Sequence, residues 1–243
     1  MAQIDLKDAV VRILDGDSRA GAVNNVAGYA AGQSVILVDS FPALRSDGTA
    51  ATTVVGRKVT FAGHDTEYEI TAAVAPTQPT SITISPVLTD AVVDDEVVTV
   101  SPAMLEINTG EGTLTYDEKV DRQYMRNRGR LNLVRNGDEQ PVDVKLDIIW
   151  EFITAVTGSG TPTPEDFLKK RGEASGLVTT ADDECQPFSV DLQIVYTPNC
   201  GTEDVETIVL EEFRYETLNH DLKAGMLSVS GKCNRTEATV TRG

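Results

Sequence analysis

Positive charge is what this chain has least of: 21 lysines and arginines stand against 38 aspartates and glutamates, a formal net charge of −17. Broad binding to a phosphate backbone needs the opposite excess, whereas surplus negative charge keeps a protein soluble at high concentration. Long apolar runs are missing too. None approaches the roughly 18 residues of a membrane span, so no membrane insertion is expected. Cysteine is limited to Cys185, Cys200 and Cys233, with no C-x-x-C pair. A Cys185–Cys200 bridge stays open, but an odd count in a cytosolic chain favours reduced, buried thiols. The two histidines, His64 and His220, lie far apart in sequence and leave a zinc site short of ligands. The first residues, MAQIDLKDAVVRILDGD, carry acids where a signal peptide needs a basic start, so synthesis in a cytosol is expected.

What the chain does have is period-two alternation in short segments bounded by Gly, Pro, Asn and Asp. Five strands are expected between Gln33 and Pro102: QSVILVDS, GRKVTFAG, TEYEITAAV, SITISPVL and DEVVTVSP. Strands this short and close together suggest a small barrel or sandwich. The block is acidic, and its lead-in AGAVNNVAGYAAG reads as a linker. One helix is expected in TPTPEDFLKKRGEAS, with Thr163 as cap, Pro164 at the first helical position, Glu165 and Asp166 at the positive end of the dipole, and Gly172 or Gly176 as the stop. Further strands are expected in PFSVDLQIVYT, VETIVLEEFRYETL and AGMLSVSGKCN.

Against the acidic background, Asp121–Trp150 gathers Arg122, Arg126, Arg128, Arg130 and Arg135. Asn136-Gly137 supplies the residues of a type I′ hairpin turn. That turn would set Leu131 and Leu133 on one face with Val142, Val144 and Leu146. On the other face it would set Arg130 against Asp143 and Arg126 against Asp147, with Arg135 beside Asp138. Exposed pairs of this kind contribute about 1 kcal/mol or less each. Arg122 and Arg128 would be left over, with Lys145 opposite Arg128. From Ala181 to Glu212 there are nine acidic residues and no lysine or arginine. Asp182, Asp183, Glu184, Glu203, Asp204 and Glu206 are therefore the candidate acidic partners of the arginines.

Chemistry-bearing motifs are few. GSGTPTPED lacks the Gly-Lys-Ser/Thr ending of a P-loop, and there is no G-x-S-x-G, H-E-x-x-H or complete calcium loop. DGDS at Asp15–Ser18 and the trio Asp94-Asp95-Glu96 read as polar turns. His220 has no nucleophile near it in sequence, and Trp150 reads as core. No enzyme and no cofactor is expected.

The ordered set RGRLNLVRNGDEQPVDVKLDIIWEF, TPEDFLK, CQPFSVDLQIVYTPNCG and FRYETLNHDLKAGMLSVSGKCN resembles the tail tube proteins of long-tailed bacteriophages, over roughly Leu105 to Gly243 plus the strand AVVRILDGD. The resemblance implies a mainly β fold: a tail-tube-type β-sandwich or barrel with one flanking helix in residues 1–25 and 103–243, and a small inserted β-barrel or sandwich in 26–102. It also implies hexameric rings stacked into a hollow tube, assembled in the host bacterial cytoplasm and residing in the virion tail. A tape measure protein and then DNA would occupy the lumen, with tail tip and terminator proteins at the ends. Sheet edges of neighbouring subunits would join into a continuous inner wall. In that setting Arg122, Arg126, Arg128, Arg130, Asp143, Lys145 and Asp147 would face the lumen or the next subunit. A distal-tail or terminator ring, a tube of a contractile secretion or bacteriocin device, and a glycan-binding module are the alternatives. The last is poorly supplied with aromatic residues for stacking.

Overall fold

The computed structural model describes residues 9–39, 53–64, 66–77, 79–107, 113–128, 130–149, 162–183, 185–197 and 205–242. The alternation produces a mainly β fold of antiparallel sheets with one short α-helix among the described residues. The chain divides into two compact units. One comprises residues 1–13, 105–169 and 180–243, and the other 14–104 and 170–179.

After β1 (Ala9–Leu14), the second unit is built from β2 (Arg19–Ala22), β3 (Val35–Leu37), β4 (Lys58–Phe61), β5 (Tyr68–Val74), β6 (Ser81–Ser85) and β7 (Val97–Val100), in sheet order β2-β7-β4-β5-β6-β3. A bridge between Val23 and Val38, and a 2.9 Å hydrogen bond from Asp39 N–H to the Ala22 carbonyl, bring β3 back to β2. The sheet thus curls around one core that includes Val23, Ile36, Phe61, Tyr68, Ile82 and Val98. All five strands expected between Gln33 and Pro102 form. The lead-in expected as a linker does not behave as one: it supplies β2, and Tyr29 bridges to Val92 while its hydroxyl accepts the Leu37 N–H at 2.8 Å. Glycine- and alanine-rich composition concealed a strand whose partners are distant in sequence.

The first unit adds β8 (Met104–Ile107), β9 (Leu114–Asp117), β10 (Val120–Asn127), β11 (Arg130–Glu139), β12 (Val142–Ile149), α1 (Pro164–Lys169), β13 (Val190–Tyr196), β14 (Glu206–Asp221), β15 (Met226–Cys233) and β16 (Thr239–Arg242). Its main sheet runs β8-β1-β13-β14-β15-β12-β9, with β16 also on β14. Inward rows on β12 (Val142, Val144, Leu146, Ile148), β13 (Val190, Leu192, Ile194) and β15 (Leu227, Val229, Cys233) are buried. Burying each large aliphatic side chain contributes about 1.5–3 kcal/mol. The helix is capped as expected: Thr163 Oγ1 accepts the Asp166 N–H at 3.1 Å and donates to the Asp166 carboxylate at 2.9 Å. It ends at Lys169, before either expected glycine, because Lys170 turns to φ +49°.

The expected Asn136-Gly137 hairpin is not formed. β12 pairs with β15 on one side and β9 on the other, while β11 pairs with β10. The chain reverses instead between the paired residues Asn127 and Arg130, with Arg128 at φ +50°. The continuous apolar row of β12 gains more by burial in the main sheet than by pairing with β11, whose Leu131 and Leu133 are exposed. Asn136-Gly137 sits at a bulge, where Val120 pairs with Glu139 but Arg122 with Asn136. A Cβ at Gly137 would lie 1.8 Å from Asp121 Oδ2, so a larger residue there would have to displace that carboxylate.

Candidate assembly interface

β10 and β11 form a two-stranded sheet of their own. Arg122, Arg126, Arg128 and Arg135 are exposed, and among the described residues none of them makes an ion pair. The register sets Arg126 opposite Leu131, Arg130 opposite Asn127 and Arg135 opposite Gln123, so none of the three lies across a strand from its expected aspartate. Apolar side chains occupy both faces. Tyr124 is paired with Val134 and Met125 with Leu133, and all four are exposed. Val120, Tyr124 and Leu131 are 70%, 60% and 65% exposed. A lone two-stranded hairpin is marginally stable in water, and an exposed apolar surface of this kind marks an interaction site.

The expected acidic partners on β12 have other neighbours. Asp143 is ion-paired with Lys119, whose hydrogen bond holds the Asp143 carboxyl below its ordinary range. Asp147 accepts the Ser228 hydroxyl at 2.6 Å and the Thr113 hydroxyl at 2.8 Å, and these bonds likewise lower its pKa. Lys145 is exposed between Ser230 of β15 and Thr115 of β9. In the acidic stretch, Asp182 lies 3.3 Å from Arg235 and Glu206 lies 3.4 Å from Arg242. Asp183 caps a turn by accepting the Cys185 N–H at 2.9 Å. Glu184, Glu203, Asp204, Cys200 and Trp150 lie outside the described residues.

Another acidic surface escaped sequence reasoning. At the root of the hairpin an open cleft of about 280 Å³ is bordered by Glu118, Asp121, Asp138, Glu139 and Glu237. Lys119, its one cation, is engaged by Asp143. Glu118 accepts the Ala238 N–H at 2.8 Å and Asp121 the Asp138 N–H at 3.3 Å. The signal was present as charge segregation: acids at 118, 121, 138 and 139 flank the arginines between 122 and 135.

Two buried polar clusters have structural roles. In the barrel unit, Asp17 accepts a bidentate pair from Arg19 (2.7 and 2.6 Å) and a third bond from Arg57 at 2.8 Å, all three side chains being buried. Asp15, expected as a polar turn, is also buried. It accepts N–H bonds from Asp17, Ala103 and Val178, and burial raises its pKa. In the main sheet Glu212 sits at φ +52° in a bulge of β14, its N–H bonded to Asp191 at 2.8 Å. Arg235 lies 3.2 Å from its Oε1 but off the hydrogen-bonding direction, so that contact is coulombic. Burial raises the Asp191 pKa and pushes the neighbouring Cys233 thiol up to about 12, far from a nucleophile's range. His220 contacts Glu165 of the helix at 3.2 Å. Comparison of the chain with protein-family models, with curated proteins and with solved structures finds no match.

Proposed function

We propose that this chain is a structural subunit of a phage-type tail tube, built from stacked rings of identical copies around a hollow lumen. The observation that carries the reading is the β10–β11 hairpin, which exposes apolar residues on both faces and arginines with no ion-pair partner among the described residues, in a chain of charge −17. Such a sheet gains its missing cover from other copies. The main sheet offers further joining points, because β8 and β9 are its terminal strands among the described residues. The ordered resemblance of the C-terminal segments to tail tube proteins supplies the identity of the assembly. A heterologous contact that closes into a ring and repeats along an axis has the required symmetry. Negative-stain microscopy of the concentrated protein is expected to show annular particles and tubes with a central channel. Compact monomers alone, seen by both microscopy and sedimentation, would falsify the reading.

A further inference from the structure

Resting on that reading, we propose which surfaces meet: the arginine tip of one copy's β10–β11 hairpin docks in the acidic cleft at the root of the hairpin of the next copy. The two halves match in charge. At the tip, Arg126 and Arg128 have no ion-pair partner among the described residues. Of the five cleft carboxylates, Asp138, Glu139 and Glu237 have none either, and Glu118 and Asp121 accept only backbone N–H groups. The rival acidic stretch is less available, because Asp182 and Glu206 are already met by Arg235 and Arg242.

The two halves cannot satisfy each other within one chain. Eight residues of extended strand at about 3.3 Å each hold the tip roughly 25 Å from its own root. Each copy therefore carries one donor end and one acceptor end, and the contact repeats head to tail. The apolar residues between the poles, Tyr124, Met125, Leu133 and Val134, then lose water along the same contact. A surface that combines steering charge with apolar burial supports both rapid encounter and a stable complex.

Two full-length variants test this. In the first, the tip is reversed by Arg126→Glu and Arg128→Glu. In the second, the cleft is reversed by Glu139→Lys and Glu237→Lys. Each alone is expected to lose self-association by at least about tenfold, as truncation of interfacial charge pairs does. Their equimolar mixture is expected to associate, because each acidic surface then meets a basic one. Arg128→Gly serves as a folding control, since it removes charge while relaxing a left-handed turn position.

If either reversed variant associates like the native chain while rings or tubes form, the docking proposal is overturned and the tube reading stands. If the mixture rule holds but only short open chains form, the docking stands and the tube reading fails. If both variants self-associate normally and only the tip variant loses binding to a short mixed-sequence DNA duplex, the arginines serve nucleic acid and the docking proposal is overturned.

Discussion

At the scale of single residues, the barrel unit depends on a charge cluster that a sequence reader would take for a surface turn. Asp17 ion-pairs with both Arg19 and Arg57 out of water, and the Asp15 carboxyl lies close enough to Arg57 to interact with it. Asp17→Ala removes the carboxylate that both buried guanidinium groups share, and is expected to cost about 3–5 kcal/mol. Amide exchange of β2 and β4 in that variant should rise by the corresponding factor; unchanged protection would show that other partners carry the arginines. Asp147 gives a second case, with the opposite exposure to risk. Donors from Ser228 and Thr113 favour its ionised form, so its folded pKa lies below the unfolded one. The stability it contributes is present above the ordinary carboxylate range and is lost as pH falls through the lowered pKa. Ser228→Ala should raise the Asp147 titration seen by carboxyl NMR and should destabilise at neutral pH but not once the group is protonated.

At the scale of elements, β10–β11 stands apart from the strands around β14. The strands β13, β14 and β15 exchange hydrogen bonds on both sides over buried rows, whereas among the described residues the hairpin has pairing on one edge only and no cover. In the monomer its amides should exchange far faster than those of β13–β15, and assembly should slow them selectively. Equal protection in both states would mean that the hairpin is not the contact.

Most individual strands were legible from alternation, as was the Thr163-Pro164 helix start, because each rests on local chemistry. Strand partnership was not. Asn136-Gly137 has the composition of a turn, yet the same glycine suits a bulge under the Asp121 carboxylate. Choosing between them required knowing that β15 competes for β12. The arginine cluster was visible as a segment, but its pairing depended on that register, so every cross-strand pair read from the wrong turn failed together. The acidic cleft combines residues 118–121, 136–140 and 236–237, which only the folded sheet brings into one place.

At the scale of the whole molecule, Asp15 ties together three segments of the barrel unit that are distant in sequence. Its N–H bonds to the Ala103 carbonyl at 3.0 Å, and its carboxylate accepts the N–H groups of Ala103 and Val178. The ends of the excursion from residue 15 to residue 103 are thus one hydrogen bond apart. Replacing residues 16–102 by a short Gly/Ser turn should leave the main sheet folded, at a modest cost from the unsatisfied 170–179 segment. Removing only Gln33–Pro102 should fare worse, because it strands β2 without β7. Circular dichroism and the sedimentation profile of the two deletions would separate these outcomes; loss of structure in both would make the barrel part of one cooperative unit.

The length of the hairpin has one further consequence, which concerns screening. At physiological ionic strength the Debye length is about 8 Å, roughly a third of the distance from tip to root. The positive tip and the negative root therefore do not cancel one another to an approaching copy, which meets two separate local fields rather than one weak average. Lowering the ionic strength extends both fields and hastens encounter, while raising it blinds each pole to its mate well before it disturbs the buried rows of the sheet. If the proposed docking holds, the surrounding electrolyte therefore sets the rate at which copies meet.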